Sequence, residues 1–139
     1  MRIYLHLTQL PQWSVAALWT TDLQRLIDFY VVYFEAAPGP RYFNPRRQFE
    51  SCFLSFATGA RLELMSIPSL AARGADGDGP SLGAAHLAFA IGSEAQVDAL
   101  TARLRSDGYQ LVEGPRRTGD GYYESVVLDP DRNRVEITI

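Results

Sequence analysis

The chain has 139 residues, of which 47% are apolar and 21% are charged, a composition typical of one globular domain. The net charge of −3 excludes the basic footprint that nucleic acids and anionic membranes require. A single cysteine, Cys52, excludes an internal disulfide framework and indicates a reducing, cytoplasmic location. We expect neither a membrane span, which needs ~20 apolar residues, nor a signal peptide, because the N-terminus lacks an apolar core.

Residues 1–12 are interpreted as an N-terminal extension. Ile3, Leu5 and Leu7 alternate with polar side chains. This alternation predicts a short strand that ends near Pro11.

Two segments then show the same succession of a strand and a helix. The first strand, residues 13–20, precedes an apolar helical stripe, and Thr21 with Gln24 matches a capping box. The stripe consists of Leu23, Leu26, Ile27, Tyr30 and Phe34. The second strand, "AAHLAFAI", precedes a stripe of Val97, Leu100 and Leu104. Ser93 and Gln96 match a second capping box, and Gly108 is placed to end the helix.

The segments that follow the two helices are also alike. Both open on Gly-Pro-Arg, both place Glu-Ser before an apolar strand (Glu50 and Glu124), and both end on an Arg-x-Glu strand. The sequence therefore predicts an α+β fold with a duplicated strand-helix-three-strand unit. Residues 13–71 and 83–139 form the halves, residues 72–82 form a Gly- and Asp-rich linker, and a curved, largely antiparallel sheet system surrounds a cleft.

Each Arg-x-Glu strand carries one glutamate, Glu63 or Glu136, among aliphatic residues. Strand alternation turns the aliphatic side chains towards the helices and the glutamates towards the cleft. In "AAHLAFAI", His86 shares a face with alanines, which leave space around its ring. Two carboxylates and an imidazole in one cleft indicate a divalent-metal site.

The order and spacing of "TTDLQRLIDFYVVYF", "RLELM", "AHLAFAIGS" and "LDPDRNRVEI" resemble the vicinal oxygen chelate superfamily. It includes glyoxalase I, bleomycin-resistance proteins, fosfomycin-resistance enzymes and extradiol dioxygenases. The resemblance covers residues 13–139 and implies the glyoxalase-like fold. It also implies a homodimer, because members often complete their clefts across subunits.

The resemblance places the four metal-ligand positions at Val15, Glu63, His86 and Glu136. Valine cannot bind a metal, so this chain retains three ligands plus an open position for water or substrate. Glu136 matches the catalytic carboxylate of glyoxalase I. The implied cofactor is a divalent Zn, Mn, Fe or Ni ion, or none at all if the loss at Val15 marks an abandoned site.

Two positions depart from members that bind glutathione. Such members commonly carry an arginine four residues after the first ligand and an asparagine four residues after the second. Here Trp19 and Ile67 occupy those places. A glutathione thioester substrate is therefore not implied.

A structural interpretation of the same residues stays open. Glu63 and Glu136 each lie two residues from an arginine on their own face, and such pairs are ordinary in sheets. His86 alone is more often a satisfied buried histidine than a ligand. His6 in the N-terminal extension is an alternative ligand, and Trp19, Tyr122 and Tyr123 line either a substrate pocket or the core.

Two functions follow from the sequence. The first is a metal-dependent enzyme of the lyase or isomerase type, which acts on a small oxygenated substrate through a stabilised enediolate or oxyanion, with Glu136 as the base. The second is a metal-free protein that binds or sequesters a small molecule, as in the bleomycin-resistance branch. Its ligand would be flat and apolar, held by Trp19 and the two tyrosines.

Overall fold

The computed structural model describes residues 11–73, 80 and 82–139. The predicted N-terminal strand with His6, and residues 74–79 and 81 of the predicted linker, lie outside the described residues. Neither helix of the described chain has the length and apolar character that crossing a membrane requires.

The N-terminal half contains one helix and a five-stranded sheet. Its elements are β1 (Val15–Trp19), α1 (Leu23–Phe34), β2 (Ala37–Pro38), β3 (Tyr42–Asn44), β4 (Phe49–Ser55) and β5 (Arg61–Ser66). The sheet order is β1-β5-β4-β2, and β3 also pairs with β4. β1 runs parallel to β5, whereas the other neighbours are antiparallel.

The C-terminal half repeats this arrangement with four strands. Its elements are β6 (Leu87–Ala90), α2 (Glu94–Ser106), β7 (Leu111–Arg117), β8 (Tyr123–Leu128) and β9 (Arg134–Thr138). The sheet order is β6-β9-β8-β7, with β6 parallel to β9. The predicted α+β fold with two strand-helix-three-strand units is thereby confirmed.

The two halves differ in the strand that follows the helix. In the N-terminal half this strand is divided into β2 and β3, and Gly39 and Pro40 lie between them. Proline has no backbone N–H and interrupts a ladder of hydrogen bonds. In the C-terminal half the matching Gly-Pro-Arg lies inside β7, where the pairing with β8 shifts register around Gly114. A side chain at Gly114 would meet the carbonyl oxygen of Glu124 at 2.5 Å, so the two strands approach closely there.

The start of α1 differs from the sequence prediction. Asp22, not Thr21, is the N-cap, and its carboxylate accepts a hydrogen bond from the backbone N–H of Arg25. Gln24 does not close a capping box, because its amide donates to Asp28 one turn later. At α2 the predicted Ser93 cap is confirmed, since its hydroxyl accepts from the backbone N–H of Gln96. Gly108 ends α2 with a φ of 96°, as predicted.

The predicted apolar faces form one core. All five residues of the α1 stripe are buried, together with Leu62 and Leu64 of β5 and Val135 and Ile137 of β9. α1 also contacts the other half, because the ring of Phe34 lies 4.4 Å from that of Phe89 in β6. The two halves therefore share a core, and the first helix occupies the boundary between them.

A buried hydrogen bond crosses the same boundary. The Tyr30 hydroxyl donates to a carboxylate oxygen of Asp129 at 2.7 Å, and Asp129 is only 3% exposed. Asp129 also accepts from the backbone N–H groups of Asp131 and Asn133 and from the side-chain amide of Asn133. These hydrogen bonds thus offset the burial of one carboxylate.

We expect Tyr30→Phe to lower the free energy of unfolding by about 1–3 kcal/mol, because a buried carboxylate loses one donor. Urea unfolding followed by circular dichroism would measure the change. Tyr33→Phe is the matched control, since its hydroxyl bonds to the exposed Asp107 and its loss should cost about 0.5 kcal/mol or less. Equal midpoints for the two variants would contradict the role given to the Tyr30 contact.

Candidate functional site

The C-terminal sheet has one face against α2 and one face turned away from it, which we call the site face. Val135 and Ile137 point to α2, so alternation turns Glu136 to the site face. Glu136 is paired across the strands with Ala88 of β6 and Val126 of β8. The site face carries His86, Ala88, Ala90, Glu124, Val126, Arg134, Glu136 and Thr138.

His86 and Glu136 are in direct contact on this face. The His86 Nε2 atom lies 3.2 Å from the Glu136 Oε2 atom. The Glu136 side chain is 16% exposed and that of His86 is 40% exposed. The imidazole is therefore reachable from solvent, while the carboxylate lies deeper beneath it.

Glu124 is a third polar residue of the cluster, and the sequence analysis did not assign it a role in the site. It lies on β8, where it pairs with Thr138, the residue two places after Glu136 on the same face of β9. Burial raises the pKa of the Glu124 carboxyl, and the nearby Glu136 carboxyl raises it further. The positive charge of Arg116, its neighbour on β7, acts in the opposite direction.

The Glu-Ser repeat was the sequence signal for Glu124, but its two copies are not equivalent in the fold. Glu63 pairs with Phe53, and Glu136 pairs with Val126. The residue two places before Phe53 is Ser51, and the residue two places before Val126 is Glu124. Ser51 is therefore the N-terminal equivalent of Glu124. Glu50 is thus one position out of register and points to the helix side, with the buried Cys52 and Leu54.

The arginines of the two Arg-x-Glu strands have partners other than the glutamates beside them. Arg134 contacts Glu113 of β7 at 3.7 Å, and Glu113 also holds Arg116 at 3.1 Å. The guanidinium of Arg61 lies 4.3 Å from the ring centroid of Phe53. Within the described ranges, neither Glu63 nor Glu136 is neutralised by an arginine salt bridge.

Glu63 lies on the N-terminal sheet, between Ala17 of β1 and Phe53 of β4. Val15 and Trp19 share its face, and Trp19 is 46% exposed with its ring edge-on to Phe49. This face is aromatic and apolar, whereas the site face of the other sheet carries charged side chains. In the part of the chain that the structure describes, no three His, Cys, Asp or Glu side chains form a group that could hold a metal ion. Glu63 therefore does not join His86 and Glu136 within one chain.

A cleft of about 1230 Å³ runs between the halves along β6. Its walls come from the end of α1, the β4–β5 turn, β6 and α2, and its polar lining includes Arg61, His86 and Arg103. Phe34, Phe56 and Phe89 give the cleft an aromatic lining. His86 thus lines both this cleft and the site face.

The predicted pocket tyrosines lie elsewhere. Tyr123 alternates with Glu124, so it points to the helix side, where its hydroxyl donates to Asp98 of α2 at 2.6 Å. Tyr122 precedes β8 and is 53% exposed. Neither lines the cleft that His86 borders.

The His86–Glu136 pair fits half of a divalent-metal site. Bonds of ~2.1 Å at angles of roughly 90–110° place two donor atoms about 3.0–3.4 Å apart. The observed separation of 3.2 Å lies in this range. An imidazole with carboxylates is a donor set that suits Zn, Mn, Fe and Ni. The pair fits the ion, and at least one further ligand must come from outside the cluster or from solvent.

The fold and these residues define a class of protein. A family model for the glyoxalase/bleomycin resistance protein/dioxygenase superfamily matches residues 12–137, and the chain belongs to that superfamily. The predicted resemblance is thereby confirmed.

The chain is also similar to particular proteins. It is 41% identical over 59 residues to the uncharacterized protein YqjT of Bacillus subtilis, a match that spans 40% of this chain and 46% of that protein. A domain of the same superfamily from Frankia sp. EAN1pec superimposes with a TM-score of 0.77 at 18% identity, covering 94% of this chain and 98% of that one. The trypanothione-dependent glyoxalase I of Leishmania major gives a TM-score of 0.73 at 18% identity, with 92% and 86% covered. Glyoxalase I from Zea mays gives 0.71 at 22% identity, covering 91% of this chain and 44% of that chain.

The raised pKa of Glu124 predicts how pH affects stability. Its ordinary value is 4.5, and a higher value in the fold means that ionisation is less favourable in the folded chain than in the unfolded one. The stability that protonated Glu124 contributes is then lost as pH rises from about 4.5 through the folded pKa. Because glutamine cannot ionise, the free energy of unfolding of Glu124→Gln relative to wild type should increase between about pH 4 and pH 7. Urea titrations across this range would test it, and a difference that stayed constant or decreased would contradict it.

Proposed function

We propose that the protein is a divalent-metal-dependent enzyme of the lyase or isomerase type that acts on a small oxygenated substrate. The observation that carries the proposal is the 3.2 Å contact between His86 and Glu136 on the site face. Arg134, the cation expected to neutralise Glu136 in a purely structural role, contacts Glu113 instead. The charged contact of Glu136 is thus with the imidazole of His86, and a metal ion could bind between these two side chains.

His86 and Glu136 would hold the ion, and Glu63 would supply the third protein ligand. A bound divalent ion polarises substrate oxygens and lowers the cost of negative charge on them. Glu136 would accept the proton that the substrate releases, since a positioned carboxylate can act as a general base. His86, which lines the cleft, would orient the substrate beside it.

Small side chains leave room for such a substrate. Ala88 is paired with Glu136 and Ala90 with Thr138, and both alanines are exposed beside His86. A larger residue at either place would fill the space above the Glu136 carboxylate. The two alanines therefore support a ligand that lies across β6 and β9.

Completion of the site requires Glu63, which lies on the other sheet. We propose that the protein is a homodimer in which the N-terminal sheet of one subunit faces the site face of its partner. One wall would then carry Trp19, Phe49 and Glu63, and the other would carry His86 and Glu136. This arrangement combines an apolar wall with a charged one, as is usual in small-molecule sites.

A metal-free binding protein is the second candidate, and one observation favours it. Val15 occupies the position equivalent to His86, and the sheet face around it exposes Trp19 edge-on to Phe49. Exposed aromatic side chains of this kind contact flat apolar ligands. The two candidates make opposite predictions for metal content.

Metal content separates the two functions. We expect protein purified without a histidine tag to bind close to one equivalent of a transition metal per site, either as purified or after soaking and desalting. Elemental analysis would measure this. Less than about a tenth of an equivalent after soaking would exclude the metal-dependent enzyme and leave the binding protein.

Glu136→Gln should abolish metal binding and activity without unfolding the protein. The change keeps the shape of the side chain and removes its basicity, so stability should change by about 1 kcal/mol or less. Loss of a positioned proton acceptor costs ~10²–10⁴ in rate. Glu113→Gln is the matched control, since it removes a nearby carboxylate whose ion pairs are with Arg116 and Arg134. A Glu136→Gln protein that melts many degrees lower and still binds metal would show that Glu136 is a structural residue.

Mixing of variants tests the dimer. In a shared site, Glu63→Gln and Glu136→Gln chains are each inactive, but their heterodimer contains one site with all native residues. We therefore expect an equimolar mixture, unfolded and refolded together, to recover metal binding that neither variant shows alone. Light scattering that gave a monomer at micromolar concentration, or a mixture that recovered nothing, would exclude the shared site.

A further inference from the structure

Arg61 and Arg134 occupy the same place in the two halves, at the start of the two Arg-x-Glu strands. Arg134 has a carboxylate partner, because a nitrogen of its guanidinium lies 3.7 Å from an oxygen of Glu113 on β7. Among the described residues, no carboxylate forms a salt bridge with Arg61. The two halves therefore differ in how this arginine is neutralised.

The repeat explains why the N-terminal half lacks this partner. Aligning the two Gly-Pro-Arg segments places Pro38 at the position of Glu113. β2, the strand that corresponds to the start of β7, consists of Ala37 and Pro38. This side of the N-terminal sheet thus offers no carboxylate in the place where the other sheet has one.

The guanidinium of Arg61 is instead held over an aromatic ring. It lies 4.3 Å from the ring centroid of Phe53, and the partner of Arg61 on β1 is the apolar Val15. The attraction between a cation and a ring orients the guanidinium without using its N–H donors. A guanidinium with this orientation and without an acid partner is suited to bind an anion in two parallel hydrogen bonds.

Arg61 also lines the cleft that His86 borders. The other charged side chains of this lining are Glu35, at the end of α1, and Arg103 of α2. Arg103 lies over the ring of Tyr33 of α1, 4.9 Å from its centroid, so it belongs to the helix side of the cleft. Arg61 is therefore the cation of the lining that lies on the sheet face of Glu63.

We propose that Arg61 binds a carboxylate of the substrate, so that the substrate of the proposed enzyme is a small organic acid. This inference rests on the proposed function. Because Arg61 shares the face of Glu63 on β5, the subunit that supplies Glu63 to the ion also supplies Arg61. One guanidinium matches one carboxylate in charge and in geometry, whereas a phosphate carries more charge and is usually met by further cations or backbone N–H groups.

The test compares two probes of nearly equal size and shape, mandelate and mandelamide, which differ in charge. Their binding to Co²⁺-loaded and to EDTA-treated protein would be measured by ¹H–¹⁵N NMR titration. We expect Arg61→Gln to weaken mandelate binding about 10–100-fold and mandelamide binding about 2-fold or less. Arg61→Lys keeps the charge without the paired donors, so its affinity for mandelate should lie between those of wild type and Arg61→Gln.

Arg47→Gln is the matched control. Arg47 also lies over a ring of β4, that of Phe49, at 5.6 Å from its centroid, but it does not line the cleft. Both affinities should be unchanged in this variant. The NMR spectra show directly whether each variant is folded.

Mandelate binding that Arg61→Gln leaves unchanged, or weakens no more than mandelamide binding, would overturn the inference and leave the proposed function intact. Phenylphosphonate bound more tightly than mandelate would overturn the assignment of a carboxylate. Wild-type protein that bound no Co²⁺ would overturn the proposed function, and the EDTA-treated protein would then decide whether Arg61 binds the carboxylate. Wild-type protein that bound mandelate in neither state would also overturn the inference.

Discussion

The hydrogen bond from Tyr30 to Asp129 is the contact on which the geometry of the C-terminal half depends. Burial and the neighbouring carboxylate raise the pKa of the Tyr30 hydroxyl, so it remains a donor. Asp129 in turn accepts from two backbone N–H groups in the turn between β8 and β9. That turn sets where β9 begins, and the start of β9 decides which of its side chains reach the site face. A shift of one residue would bury Glu136 under α2 and expose Val135.

Duplication provided two equivalent scaffolds, and their surfaces have since acquired different chemistry. The position of His86 is Val15 in the other half, and that of Glu124 is Ser51. Charged side chains that could titrate or bind a metal are thus concentrated on the C-terminal sheet. Aromatic side chains, with Trp19 and Phe49 in contact, are concentrated on the N-terminal sheet. Glu63 and Glu136 occupy equivalent places, so both sheets retain a glutamate at this position.

The fold was predictable from the sequence because its signals are local. Periods of two and of three to four residues identified the strands, both helices and the buried faces, and Ser93 and Gly108 marked the limits of α2. The start of α1 was less certain, since Thr21 and Asp22 are adjacent and both can cap a helix.

The site was predictable only in part, because it depends on which residues oppose each other across strands. His86 and Glu136 follow from alternation within single strands. Glu124 does not, since the repeated Glu-Ser pair suggests equivalence where the register differs by one residue. The partners of Arg61 and Arg134 depend on neighbours in other strands, Phe53 and Glu113, that sequence spacing does not reveal. The distance of Glu63 from the other two side chains depends on how the halves, or two subunits, are arranged.

The separation of aromatic and charged residues onto different sheets has a consequence for how such a protein could change over evolutionary time. Substitutions at Val15, Trp19 or Phe49 alter the surface that a ligand contacts, yet they lie on a sheet that shares no strand with Glu124 or Glu136. The sheet that carries the proposed base Glu136 packs against α2, and a buried hydrogen bond between Thr101 of α2 and Ser125 of β8 joins the two. Under the proposed function, ligand preference and chemical step would therefore be encoded in separate parts of the sequence. A lineage could exchange one substrate for another by mutation in the first half of the chain while the second half stayed unchanged.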